Sequence, residues 1–253
     1  MIDLCGYSEN EINQFRNSFF WSGKNSVDAF LEYRADYMQI GKAAMAAILI
    51  PCHEWHLFRY DQGGLRYLYN NLNTSFEEFG KNQLSIITFN YDRTVEHFLF
   101  TALKNTYNKT KDEVRAVVEQ IPIIHLHGRL GFLPWQSGSS RAFGGEINKR
   151  ALDVSIQNIK IIHEDIKSRD ADFTAAKTLL DAADQIIFMG FGYNKTNLDR
   201  LEISKLSAEK VIWGTNIGLA NRELATISHH CSGKIQFSPG DCLEILRERI
   251  VWE

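Results

Sequence analysis

The sequence predicts a mixed α/β fold: a doubly wound, mostly parallel sheet with a helical insert. Two features carry that prediction. Five short apolar runs rich in β-branched residues recur from Leu84 onward, and amphipathic helical segments separate them, the pattern of strands buried on both faces and connected by crossover helices. A third feature sets the boundary, since residues 26 to 80 carry helical spacing and nothing that reads as a strand.

Taken in chain order, VDAFLEYRADYMQIGKAAMAAILI (27 to 50) has apolar residues three and four apart until Pro51, which cannot continue a helix. GLRYLYNNLNTSFEEF (64 to 79) repeats the pattern, so 26 to 80 is expected to form a helical subdomain and 81 to 253 an α/β core, the two making a single domain. The strands of that core are expected in LSIITFN (84 to 90), PIIHLHG (122 to 128), QIIFMGFG (185 to 192), KVIWGTN (210 to 216) and KIQFSPGD (234 to 241). Helices are expected in RTVEHFLFTALKN, KDEVRAVVEQ, FTAAKTLLDAAD and CLEILRERIVW.

Composition narrows the function. With 253 residues and 44% hydrophobic content the chain can bury a full core. A net charge of -3, from 28 Lys and Arg against 31 Asp and Glu, lacks the basic excess that a polyphosphate backbone attracts, so nucleic acid is not an expected partner. Four cysteines, Cys5, Cys52, Cys231 and Cys242, stand apart without C-x-x-C spacing, which argues against zinc and fits a reducing compartment. The first residues lack a basic stretch followed by an apolar run, and no apolar stretch has the length of a bilayer, so a cytoplasmic protein without a membrane anchor is expected.

In doubly wound sheets, ligands bind beyond the carboxyl ends of the strands. The expected ends here are Asn90-Tyr91-Asp92, His127-Gly128, Gly190-Phe191-Gly192-Tyr193 and Gly214-Thr215-Asn216, which would all face one crevice. Small residues there let the backbone approach a ligand, while the amide, carboxylate and imidazole supply directed hydrogen bonds.

TFNYDRTVE (88 to 96), HLHG (125 to 128), IIFMGFGYN (186 to 194) and VIWGTN (211 to 216), in that order and spacing, resemble the sirtuin-like, or silent-information-regulator-like, NAD-binding family, whose fold is Rossmann-like. Residues 26 to 51 look like the helical segment of bacterial members placed in antiphage defence. The resemblance implies that Asn90 positions the nicotinamide ribose and an attacking water, that Asp92 hydrogen-bonds the carboxamide, and that His127 acts as general base on a ribose hydroxyl. It also implies that Gly190, Phe191, Gly192, Thr215 and Asn216 bind the rest of the NAD. The chemistry suits those residue types. Nicotinamide leaves from a charged pyridinium without protonation, through an oxocarbenium-like transition state, so a neutral amide and a tunable base suffice. NAD hydrolysis to nicotinamide and ADP-ribose is therefore the expected activity.

Two family features are missing. The glycine-rich strand-to-helix turn that cradles a pyrophosphate has no counterpart, since CGYS (5 to 8) holds one glycine and follows no apolar strand. A sheet without that first strand is expected to pair with a second copy or a partner protein, and the resemblance then leaves open a non-catalytic NAD or ADP-ribose sensor, or an inactive, shortened member. The zinc ribbon of the deacylating sirtuins is also missing, and Phe143-Gly144-Gly145-Glu146 only faintly resembles their acyl-lysine stretch, so deacylation ranks below hydrolysis.

Each candidate residue has a plainer reading. Asn90 alone is a turn residue, and Asp92 an N-cap for a helix starting near Arg93. Gly190 and Gly192 read as turn glycines, and Asn197 and Asp199 as caps. His125 shares a strand face with His127 and reads as a satisfied core or supporting histidine. His53 and His56 do not form H-E-x-x-H and are expected to pack or be solvated. His229 and His230 are assigned nothing, and the aromatic residues of FFWSG (19 to 23) are expected in the core.

Overall fold

The computed structural model describes residues 2–53, 63–72, 74–161, 166–250 and 252. The chain is mixed α/β and mostly helical, and it divides into two compact units, Met1–Tyr60 with Ile86–Arg169 and Asp61–Ser85 with Asp170–Glu253. The expected helical stretch 26 to 80 holds helices and no strand among its described residues; His56 and the rest of 54–62 lie outside them.

In the first unit, α1 (Glu9–Trp21) starts at a capping box in which Glu11 N–H donates to the Ser8 hydroxyl and Ser8 N–H donates to the Glu11 carboxylate. The helix expected over 27 to 50 is broken in two, α2 (Val27–Leu31) and α3 (Met38–Leu49). The break lies where Arg34 leaves the helical region (φ -127, ψ 67) and its guanidinium turns forward onto Asp36 at 2.6 Å. Pro51 enters a short 3₁₀ turn that ends α3. The core of this unit gathers Phe15, Phe30, Leu31, Ile40 and Met45 with Leu130, Leu152 and Ile159, and α8 (Lys149–Asn158) lies against α3.

The expectation for FFWSG holds for Phe19, which packs on this core, and fails for its neighbours, since Phe20 and Trp21 are 72% and 82% exposed. Helical spacing explains the split. Phe15 and Phe19 share a face at i and i+4, and the next two positions point elsewhere.

Strand β1 (Ile86–Thr88) lies parallel to β2 (Ile123–His125), with Ile86 opposite Ile123 and Thr88 opposite His125. Between them run α6 (Thr94–Tyr107) and α7 (Lys111–Val118), the second opened by a Thr110–Glu113 capping box.

The second unit holds α4 (Gly64–Asn71), α5 (Phe76–Phe79), most of α9 (Ile166–Ala182), β3 (Gln185–Phe188), α10 (Lys195–Arg200), β4 (Val211–Thr215), α11 (Asn221–His230), β5 (Gln236–Ser238) and α12 (Cys242–Arg249). Its strands are all parallel in the order β3-β4-β5, with Phe188 opposite Gly214 and Thr215 opposite Ser238. Each expected strand run thus contains one strand, and each hydrogen-bonded pair is parallel. Among the described residues no helix is long and apolar enough to cross a membrane.

Candidate functional site

The first group of expected site residues follows β1 and β2. Asn90 and His127 each lie two residues beyond the last register pair, Thr88 and His125, past the ends of neighbouring parallel strands, Asn90 exposed and His127 buried in the turn that follows β2. The chain after β1 is fastened residue by residue. Thr88 C=O accepts from Leu126 N–H at 2.9 Å, and Asn90 N–H donates to Thr88 Oγ1 at 3.0 Å. Tyr91 C=O accepts from Leu130 N–H at 2.8 Å, and its hydroxyl donates to the Asp28 carboxylate on α2. Asp92 Oδ1 accepts from Thr94 N–H at 3.0 Å, a bond to the residue two on, made from the position before the N-cap, which is Arg93. Asn90 is itself exposed, so a clamped backbone presents its amide to solvent.

His127 is 7% exposed and meets the Phe89 ring edge-on, with centroids 5.3 Å apart. Beyond it the chain pairs with residues after α8: Lys160 N–H donates to His127 C=O at 2.9 Å, and Arg129 N–H to Asn158 C=O at 3.0 Å. Gly128, between them, has φ +74, and a Cβ there would lie 2.0 Å from the Asn158 oxygen. Only glycine fits this turn.

His125 occupies the hinge of the arrangement. Its Nδ1 is 3.0 Å from Asn90 C=O, and its Nε2 is 2.8 Å from Glu96 Oε1 on the first turn of α6. A carbonyl only accepts, so Nδ1 carries a proton. Glu96 is 2% exposed; burial pushes its carboxyl up, but the hydrogen bond and charge of His125, with Arg129, outweigh that and hold it below the usual glutamate range. Its Nε2 faces the Glu96 carboxyl, so one ring bridges the Asn90 main chain and a buried acidic side chain. The Arg129 guanidinium lies 3.6 Å from the same carboxylate oxygen.

The long segment after β2 is organised by arginines rather than by regular structure. Arg93, fully buried just before α6, donates to the carbonyls of Phe132 (3.1 Å), Arg141 (2.9 Å) and Ala142 (2.8 Å). Arg141 donates to Leu130 C=O and, at 2.8 Å, to His53 Nδ1, which fixes the tautomer of His53 with its hydrogen on Nε2. Burial, reinforced by Arg141, lowers Arg93 to about 9, and burial lowers Arg141 to about 10, so both stay charged at neutral pH. Phe143 is sandwiched between His53 (4.7 Å) and His97 (3.9 Å). Burial first, then the arginine charges, pushes His53 down to about 3 and His97 to about 4.

The second group lies at the carboxyl ends of β3 and β4 in the other unit. Gly190, at φ +58, donates its N–H to Thr215 Oγ1 at 3.1 Å, and the Tyr193 hydroxyl donates to Thr215 C=O at 2.8 Å. Thr215 therefore ties the two strand ends together. Phe191 stacks on Phe188 at 5.3 Å and meets Tyr193 edge-on at 5.2 Å. Gly192 is exposed with open space around a built Cβ, and Asn216 is half-buried at the start of the turn closed by Leu219 N–H. Asn194 caps α10 through Thr196 N–H, and Asp199 pairs with Lys195 and His230.

Asn90, Asp92 and His127 are thus grouped at one pair of strand tips, and Gly190, Phe191, Gly192, Thr215 and Asn216 at another. Glu96, Arg93, Arg141 and the partners of His53 went unread in the sequence. One signal was present: Arg93, Glu96 and His97 stand at one-turn spacing on the apolar side of RTVEHFLF, where charges are rarely left without partners. A pocket of about 370 Å³ opens beside Arg141, Gly144, Glu146, Asn148 and Arg150, and none of the expected site residues lines it. Among the described residues no group of three or more His, Cys, Asp or Glu side chains is placed to hold a metal ion. Comparison with protein-family models, curated proteins and solved structures gives no match.

Proposed function

We propose that the chain is a cytoplasmic, sirtuin-like domain of doubly wound, Rossmann-like organisation that binds NAD and hydrolyses it to nicotinamide and ADP-ribose. The observation that supports this reading is that Asn90 and His127 each follow by two residues the last paired residues, Thr88 and His125, of the adjacent parallel strands β1 and β2. In the proposed reaction the bond between the ribose C1′ and the pyridinium nitrogen breaks, and its electron pair neutralises the leaving nicotinamide. Water adds to C1′, its oxygen oriented by the Asn90 amide, and loses a proton to solvent, while His127 acts as general base on a ribose hydroxyl. Asp92 contacts the carboxamide. The strand-end residues Gly190, Phe191, Gly192, Thr215 and Asn216 keep the NAD-binding role implied by the sequence resemblance, and the nicotinamide end of the proposal stands on the first unit alone. A role in antiphage defence rests on the resemblance of residues 26 to 51.

Incubation of the purified protein with NAD, followed by quantitation of nicotinamide, tests the proposal. His127→Ala is expected to lower turnover by roughly 10²- to 10⁴-fold, the usual contribution of a general base, and Asn90→Ala to lower it comparably. A folded wild-type protein that releases no nicotinamide overturns the hydrolase reading.

The enclosure of His127 favours a second reading, a sensor that binds NAD or ADP-ribose without turnover. Calorimetric binding of NAD without nicotinamide release selects it, and the absence of binding heat removes it.

A further inference from the structure

Asn90 is held through its main chain on both sides, by Thr88 Oγ1 at its N–H and by His125 Nδ1 at its C=O. The second contact belongs to a larger device. His125 passes from the Asn90 carbonyl to the Glu96 carboxylate, and the same carboxylate oxygen is 3.6 Å from Arg129, two residues beyond His127. One buried acidic group therefore ties the tip of β1 to the tip of β2.

A buried carboxyl–imidazole pair is a poor choice if cohesion is all that is needed. Taking such polar groups out of water is costly, and apolar residues of similar volume stabilise a core as well or better. What an apolar pair cannot supply is a directed N–H aimed at one carbonyl. That carbonyl belongs to the residue whose side chain is presented to solvent.

We infer that Glu96 and His125 form a positioning pair that fixes the direction in which the Asn90 amide points; the functional meaning of this rests on the NAD-hydrolysis reading above. Neither residue touches the substrate. Their effect passes through the main chain of Asn90 and through Arg129, and it governs the chemical step more than substrate affinity, because misplacing a reacting group by an ångström costs up to about 10²-fold in rate.

The test is the double variant Glu96→Leu/His125→Leu, which removes both polar side chains and leaves a volume that packs. It is expected to keep its far-ultraviolet circular dichroism and its cooperative melting, to release nicotinamide with kcat lowered on the order of 10²-fold, and to hold KM within about threefold. Turnover equal to the wild type overturns the positioning role. Should the double variant not fold, His125→Gln is read in its place with the same outcomes, since its carboxamide is too short to serve both the Asn90 carbonyl and Glu96. If the wild type itself releases no nicotinamide, the hydrolase reading has failed and the positioning pair is judged by amide hydrogen exchange. Exchange at residues 88 to 93 is then expected to quicken by roughly tenfold in the variant relative to the wild type, as a fastened segment comes loose. Unchanged exchange there overturns it.

Discussion

Gly214→Ala offers a sharp test of how the end of β4 is built. A Cβ on Gly214 would lie 2.1 Å from the Tyr193 hydroxyl oxygen, 3.1 Å from its ring carbon Cζ and 3.2 Å from Ile235 Cγ2. To restore an ordinary contact the hydroxyl must retreat by roughly 1 Å or more. It now sits 2.8 Å from Thr215 C=O, so that retreat breaks the hydrogen bond. Losing a buried hydrogen bond costs roughly 1–3 kcal/mol, and overpacking adds roughly 1–3 kcal/mol. The stiffer unfolded chain of the alanine variant returns only about 0.4–1 kcal/mol. The net expectation is a loss of about 3 kcal/mol, measured from the midpoint of denaturant unfolding followed by circular dichroism.

The cause is separable from the size of the effect. In a Tyr193→Phe background the offending oxygen is gone and Cζ is the nearest ring atom, so adding Gly214→Ala is expected to cost only about 1 kcal/mol more. The two substitutions should therefore couple by about 2 kcal/mol. Additivity within about 0.5 kcal/mol would refute the assignment of the loss to the Tyr193 hydroxyl.

Two further outcomes are expected. Gly128→Ala combines a positive φ with a main-chain clash against the Asn158 oxygen, which no side-chain rotation relieves, so it should destabilise by at least about 2 kcal/mol in the same assay; a loss below about 0.5 kcal/mol would contradict the turn described here. His53 and His97 are held neutral in the folded protein to about pH 3 and 4, whereas in the unfolded chain they protonate below about 6.5, so acid favours unfolding. Their stabilising contribution is complete above about pH 6.5 and drains away as pH falls through the folded values. Unfolding midpoints recorded between pH 7 and 4.5 should decline, less steeply for His97→Phe, and an unchanged slope in that variant would sink the account.

The strands were legible because their chemistry is local. SIITF, PIIHL, QIIF, VIWGT and IQFS are β-branched or aromatic runs bounded by turn residues, and every one contains a strand. Helices with a marked apolar stripe, such as Lys111–Val118 and, despite Glu96 and His97 on its buried side, Thr94–Tyr107, were equally clear. Glu9–Trp21 escaped because its apolar positions, Ile12, Phe15 and Phe19, are diluted by Asn, Gln and Arg, and its capping box alone announces it. The break after Leu31 escaped because Arg34 is an ordinary helix former whose pairing with Asp36 competes with the helix. For the site, the strand-tip positions of Asn90 and His127 follow from the runs themselves. The burial of Glu96 and Arg93 does not: charged residues on a helix are by default assigned to solvent, and their partners stand 29 to 49 positions away along the chain.

The three carbonyls gathered by Arg93 come from residues 39 to 49 positions downstream. A single side chain at the start of α6 thus acts as a mould for a stretch of backbone that has little repetitive structure of its own. Without that side chain, the carbonyls of Phe132, Arg141 and Ala142 would lose the donor that draws them together. Lysine cannot stand in for this role, since an ammonium lacks the planar fork that reaches several oxygens at fixed angles. The outline of the loop is in this sense written into the helix that precedes it.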